Sequence, residues 1–461
     1  MNFRRNSKLH RLKLGFLKYK ADVRLKNPDA LFKNYPLHEF LEKRRRYRFI
    51  PNYSDNIEYF KTLEEHDFCN RLYCFDTNDI EVPEHFSLVD NYDDSLDFLK
   101  RLFNLLYFET VDEVVINYGK CNEIDVSASL VMDIILADFI NYFNACEQAR
   151  KPAKIEAIRT SNNDKYEIKK ILYSVGAYKN LRNESQVFRG AIPFAIRIGD
   201  RNKSDYQVRR DLHTTETVDY IKECLGKVNR TLTDQAETKF YKVIGEMLLN
   251  SEDHSGRQMR YLIGHFEDNG DEQNEAGYGV FNLSILNFGN TIYETFKSPN
   301  APKRIVRQME KLSGTFSFKN FFKKRKFEEE TLWTLYALQE GVTSVNHRER
   351  GNGAIQFIEN FFGLKGNSER DEVSKMVIIS GHTRIIFDGG YQITKGIRGK
   401  HGNEFKMMTF NESGSIEDLP DEKYVMYEEN YFPGTMISVR LKLDYENTTD
   451  LTLKGDDESN D

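Results

Sequence analysis

Glu246, Asn250 and His254 recur at four-residue steps inside FYKVIGEMLLNSEDHS, residues 240–255. Residues four apart lie one above another on a helix, so this spacing stacks a carboxylate, a carboxamide and an imidazole along one flank. A carboxylate there can take a proton from water. A carboxamide oxygen one turn on can ligate a hard cation such as Mg²⁺ beside phosphate oxygens. Phe240, Val243, Ile244, Met247 and Leu248 fall at i, i+3, i+4, i+7 and i+8, the stripe of a helix that faces a core. The polar residues therefore edge a buried face, as the wall of a pocket does. A solvated flank would carry the same letters, so the rest of the chain must decide.

Those further residues follow in order. Residues 278–292, YGVFNLSILNFGNTI, alternate Val280, Asn282 and Ser284 with Phe281, Leu283 and Ile285, which predicts a strand ending in a turn at Asn287, Phe288, Gly289 and Asn290. Residues 346–364, NHRERGNGAIQFIENFFGL, set Gly351, Asn352 and Gly353 before a helical pattern of Ile355, Phe357, Ile358, Phe361 and Phe362. Free backbone N–H groups would there meet a helix dipole, and Arg348 and Arg350 flank that anion site. Residues 376–381, 384–387 and 432–441 read as short strands, the last opening at Gly434 and Thr435.

This order of boxes resembles the GHKL ATP-binding fold of gyrase, heat-shock chaperones, mismatch-repair ATPases, histidine kinases and anti-sigma-factor serine kinases. The resemblance covers about residues 211–441, and the form of its boxes looks closest to the anti-sigma kinases. It implies an α/β sandwich, a mixed sheet covered by helices on one face, that binds ATP and Mg²⁺. Asn250 would ligate the metal and Glu246 would be the general base. Asn287, Gly289, Arg350, Gly351, Asn352, Gly353 and Thr435 would complete the nucleotide site. Asn287 stands where the family has an Asp that accepts from the adenine amino group; its oxygen can still accept, and its NH₂ can donate to a ring nitrogen. Thr291 stands where a second glycine is usual, which restricts φ in the loop. The insert at 298–330, rich in charge and read as lacking an apolar core, corresponds to the family's ATP lid.

Residues 83–205 form a second α/β pattern, with strands predicted at 111–119 and 154–160 and helices at 127–148 and 165–178. It resembles the STAS fold of anti-sigma-factor antagonists, whose phospho-acceptor loop would correspond to EIDVSAS, with Asp125 and Ser127. For Ser127, phospho-acceptor and helix N-cap are both open readings, the N-cap preferred. The expected organisation is a basic extension at 1–82, a STAS-like domain at 83–205, a GHKL domain at 206–443, and an acidic, disordered tail at 444–461.

Composition limits the alternatives. The chain has 461 residues, 39% hydrophobic and 30% charged, with a formal charge of −6, enough for two or three domains with real cores. Mean hydropathy is −0.63, and the most apolar run, near residues 130–140, is broken by Asp133 and Asp138, so no membrane span is expected. Five cysteines without a CxxC pair suit reduced thiols and a cytoplasmic setting. His66, Cys69 and Cys74 have no fourth ligand nearby for a metal. Residues 1–50 carry fifteen Lys and Arg against four Asp and Glu, interleaved with aromatics, which suits nucleic acid, the chain's own acidic body or a dimer mate.

Three functions fit. The first is a Mg²⁺-dependent regulatory ATPase that couples nucleotide state to a protein partner through the STAS-like segment. The second is an anti-sigma-type serine kinase acting on a STAS partner. The third is a non-hydrolysing, nucleotide-gated protein whose basic arm grips nucleic acid.

Overall fold

The computed structural model describes residues 57–60, 78–107, 113–148, 157–175, 192, 194–254, 259–268, 279–319, 328–342, 353–365, 373–398, 403–443 and 446–451. The chain is mixed α/β. It divides into two compact units: the described residues of Met1–His85, Asp97–Asn122 and Met132–Lys165, and those of Phe86–Leu96, Glu123–Val131 and Tyr166–Asp461. Residues 83–205 are therefore shared between two bodies instead of forming one.

From residue 78 the chain runs β1 (Asn78–Glu81), β2 (His85–Phe86), α1 (Tyr92–Tyr107), β3 (Glu113–Asn117), β4 (Glu123–Ile124), α2 (Val126–Gln148) and β5 (Ala157–Ser161). In the first unit β1, β3 and β5 pair in that order, all parallel. Parallel neighbours need long crossovers, and the helical stretches between these strands supply them. β1 lies inside the stretch assigned above to the basic extension. Asp138, one of the charges that interrupts the apolar run, accepts a hydrogen bond from Tyr107 Oη at 2.8 Å. Val126–Cys146 is long and apolar enough to cross a membrane by length and composition, against the expectation from sequence, but most of it is buried within the protein.

The second unit continues with α3 (Tyr166–Ser174), β6 (Arg197–Asp200), α4 (Tyr206–Gly226), β7 (Arg230–Leu232), α5 (Asp234–His254), β8 (Met259–Asp268), β9 (Gly279–Phe288) and α6 (Ile292–Lys297). Then come α7 (Lys303–Lys319), α8 (Glu329–Ala337), α9 (Gly353–Lys365), β10 (Lys375–Phe387), β11 (Thr394–Arg398), β12 (Asn403–Met407), β13 (Val425–Leu443) and β14 (Thr448–Asp450). Among the described residues five strands make one sheet, β10-β13-β9-β8-β6, in which every pairing is antiparallel. This corrects the mixed sheet expected from the resemblance. It also moves the domain boundary, because β6 lies before residue 206 and yet pairs with β8.

Helices α4, α5 and α9 pack on one face of this sheet. Phe240, Val243, Ile244, Met247 and Leu248 of α5 meet Leu262 and Phe266 of β8, Phe281, Leu283 and Ile285 of β9, and Ile437, Val439 and Leu441 of β13. These are the alternate residues of each strand, as a pleated sheet requires. Each such side chain contributes roughly 1.5–3 kcal/mol by leaving water. The opposite face is buried too, through Ile263, Leu286, Phe288, Met436, Val377 and Ile379, so the one-sided covering is also corrected.

Three further expectations change. Within 298–330, Ile305 and Met309 of α7 are buried in an apolar cluster with the flanking Phe296, Leu332, Trp333 and Tyr336, so this part of the stretch packs on a core instead of lacking one. Exposed Lys303, Arg304, Arg307 and Glu310 between those positions of α7 conceal the stripe in the sequence. The tail assigned as disordered contains β14, which pairs antiparallel with β7 and buries Asn447 and Thr448. Ser127 is not the N-cap of α2; Asp125 is, its Oδ1 accepting from Ala128 N at 2.9 Å. Ser127 is fully buried, donates to Asp125 Oδ1 at 2.5 Å and accepts from Leu88 N at 3.1 Å, which leaves no exposed hydroxyl to modify.

Candidate functional site

The register of the five-stranded sheet aligns one transverse row of residues, Ser380, Thr435, Asn287, Arg260 and Gly199, each the direct partner of the next. The row lies on the helix-packed face, two residues along from the apolar row of Ile378, Ile437, Ile285 and Leu262. The core therefore ends here, and polar side chains replace it where α5 ends and α6 begins.

Asn287 joins the row to α5. Its Nδ2 donates to the carbonyl of Ser251 at 2.5 Å, one residue beyond Asn250. A carbonyl can only accept, so the amide orientation is determined by chemistry and Oδ1 points away. Oδ1 is buried and has no hydrogen-bond partner among the described residues. A buried acceptor left unpaired costs on the order of 1–3 kcal/mol, a cost that a donor entering the site would relieve. Asn287 also spends part of its donor capacity on Ser251, which makes the oxygen its free recognition atom.

The last four carbonyls of a helix have no partner within the helix. Near the end of α5, Ser251 O is capped by Asn287, and Glu252 O accepts from Arg201 Nη1 at 3.0 Å. The Glu252 carboxylate accepts from Arg260 Nε at 2.6 Å and from Arg210 Nη1 at 3.3 Å. Arg260 is 1% exposed, lies over Gly199, and donates through Nη1 to His213 Nδ1 at 3.2 Å. An arginine has no acceptor, so His213 Nδ1 carries no proton. Burial, reinforced by Arg260, pulls His213 down to about 4.

Glu246 and Asn250 are both half-buried on α5, one turn apart as expected. Asn250 makes no side-chain hydrogen bond among the described residues, so its carboxamide is available to a ligand or metal. His254 ends the helix, and its side chain lies outside what is described. Gly289 adopts φ +131°, and its N–H donates to Pro433 O at 3.3 Å. Thr291 needs no glycine-like freedom: at φ −73° it caps α6 in a capping box with Glu294, so the restriction of φ expected there has no consequence for the turn. Ile292 N donates to Ser380 Oγ at 2.9 Å, and Ser380 Oγ and Thr435 Oγ1 are hydrogen-bonded at 2.9 Å. Gly353 begins α9, whereas Arg350, Gly351 and Asn352 lie outside the described residues, as do His66, Cys69, Cys74 and the basic arm 1–50.

The structure thus brings Asn250, Asn287, Gly289 and Thr435 to one end of the sheet. Ser251, Glu252, Arg260, His213 and Ser380 belong to the same region and were missed. Their signal in the sequence was a polar residue at a core-facing position of a strand, Arg260 in step with Leu262 and Phe266, and Ser380 in step with Met376 and Ile378.

Among the described residues no cluster of three or more His, Cys, Asp and Glu could hold a metal unaided. A single carboxamide ligand suits Mg²⁺, which keeps most of its coordination for water and phosphate. No family model, curated protein or solved structure matches the chain.

Proposed function

We propose that the second unit binds an adenine nucleotide with Mg²⁺ and hydrolyses it, as a regulatory ATPase of the GHKL type. The observation that carries this reading is the buried Oδ1 of Asn287, without a partner among the described residues and one hydrogen bond from the turn that carries Asn250. An acceptor with no partner calls for a ring bearing an amino group. It accepts from the exocyclic amine of adenine and repels the carbonyl oxygen that hypoxanthine and guanine carry in its place. Asn250 contributes a neutral oxygen ligand to the metal, which when bound offsets charge on the phosphate oxygens. Glu246 takes the proton from water as that oxygen bonds to the terminal phosphorus and the bond to the nucleoside diphosphate breaks. The half-burial of Glu246 suits a group that must meet both water and the site. The coupling of nucleotide state to a protein partner is part of this proposal. Complete burial of Ser127 argues against phosphorylation of the chain on that residue.

Calorimetry with ATP, ITP and GTP in Mg²⁺ tests the reading. ATP uptake stronger than ITP or GTP supports it. Glu246→Ala should keep binding and lose phosphate release, whereas Asn250→Ala should lose the Mg²⁺-dependent part of binding. No uptake of any of the three by folded protein would overturn it.

A further inference from the structure

We infer that Arg260 is a positioning residue for the Mg²⁺-binding turn of α5, an inference that rests on the nucleotide reading above. Three successive residues at the end of α5 have three tasks. Asn250 makes no side-chain hydrogen bond among the described residues, Ser251 O is held by Asn287, and Glu252 is held by the arginines. Final helical turns lack their own carbonyl partners and fray unless something outside the helix holds them. Here that hold is concentrated on Glu252, and Arg260 is its most buried part.

The geometry is specific to a guanidinium. Nε reaches Glu252 on α5 at 2.6 Å while Nη1 reaches His213 on α4 at 3.2 Å, so one planar group spans two helices from β8. A lysine has all its donors on one nitrogen and lacks the fixed fork that places separate nitrogens at Glu252 and His213. Gly199 makes room on the other side, since a Cβ there would come within 2.6 Å of Arg260 Cζ. Ion pairs buried this deeply cost much of what they return, and apolar replacements of similar volume are often as stable. Stability alone therefore gives little reason for this pair, whereas the direction of Asn250, two residues from Glu252, gives a specific one. Groups that orient a metal ligand from behind commonly shift metal affinity by about 10–100-fold when removed.

The test is calorimetric titration of the full chain with ADP in EDTA and across a Mg²⁺ series, with wild type, Arg260→Met, Arg260→Lys and Glu252→Gln, each checked for folding by circular dichroism. Arg260→Met should leave the EDTA affinity near that of wild type and lose about tenfold or more of the Mg²⁺-dependent gain. Arg260→Lys should restore that gain only in part, and Glu252→Gln should behave as Arg260→Met does. Glu252→Gln keeps shape and an acceptor oxygen, so it carries the test if Arg260→Met does not fold. A lower melting temperature with an unchanged Mg²⁺ gain would show a merely structural role and overturn the inference. Wild-type protein that takes up ADP without any Mg²⁺ gain would overturn it while leaving a nucleotide site standing. Wild-type protein that takes up no nucleotide would end both readings.

Discussion

Asn287 Nδ2 donates to Ser251 O at 2.5 Å, which ties the end of β9 to the last turn of α5 through a donor that an aspartate does not possess. Asn287→Asp would restore the residue usual in the resembled family, yet it should weaken this protein. A carboxylate would face a carbonyl, with one bond lost and repulsion added, at a cost of about 1–3 kcal/mol. Urea unfolding should show a lower midpoint, and ADP affinity should fall or stay level. A variant that is more stable or binds more tightly would mean that the Ser251 contact does not govern this position.

Gly434 sits beside the same residue. Its φ is +149°, and a Cβ would lie 2.1 Å from the Asn287 carbonyl oxygen and 2.9 Å from Phe288 Cα, both backbone atoms that no rotamer change can move. Gly434→Ala should therefore destabilise by more than about 3 kcal/mol, since strained backbone and overpacking add. It should shift the urea midpoint well beyond Asn287→Asp. A near-neutral result would mean that β13 moves freely against β9 here.

Much of this region was legible in the sequence, for reasons particular to each element. The stripe of α5 and the alternation of β9 were strong because each buries a regular set of apolar residues. β10 was read as two strands because Gly381, at φ +60°, interrupts the apolar run while the pairing with β13 continues across it. β8 was missed because its helix-facing residues include Arg260 and Gly264, which weaken the period-two signal. The ion network at Glu252 was invisible, because its members lie 8 to 51 residues away in sequence and converge only through packing of α4, the β6–α4 connection, α5 and β8. β14 was concealed by acidic composition, which shows charge but not a partner strand.

Trp333 tests the small core of α6, α7 and α8. It is fully buried, its Nε1–H donates to Ser313 Oγ, and Lys297 Nζ lies 4.2 Å from its ring centroid. Trp333→Ala should cost about 3–5 kcal/mol within this cluster. Because the cluster is local, limited proteolysis should cut α7 sooner in the variant while residues of the five-stranded sheet keep their hydrogen-exchange protection. Loss of protection across the whole sheet would show instead that the two cores unfold as one.

His265 predicts an acid-dependent loss of stability. Its ring is fully buried on the sheet face opposite α5, and neither nitrogen has a hydrogen-bond partner among the described residues. Burial pulls its pKa down to about 3, and the Lys170 charge on α3 adds to the effect. Glu267, two residues along β8, has its own cation in Arg440, 3.9 Å away. An unfolded histidine titrates near 6.5, so between about pH 6.5 and 3 the unfolded chain binds the extra proton. Stability from this residue is present above pH 6.5 and is lost as the pH falls through that window, by up to about 1.4 kcal/mol per pH unit. His265→Leu removes both unpaired nitrogens and the proton, so at pH 7 it should be neutral or stabilising. Urea melts from pH 7 to 4.5 should show the wild type losing stability relative to the variant with that slope. Parallel curves for the two proteins would mean that the His265 ring meets a donor or an acceptor and that its protonation is not linked to folding.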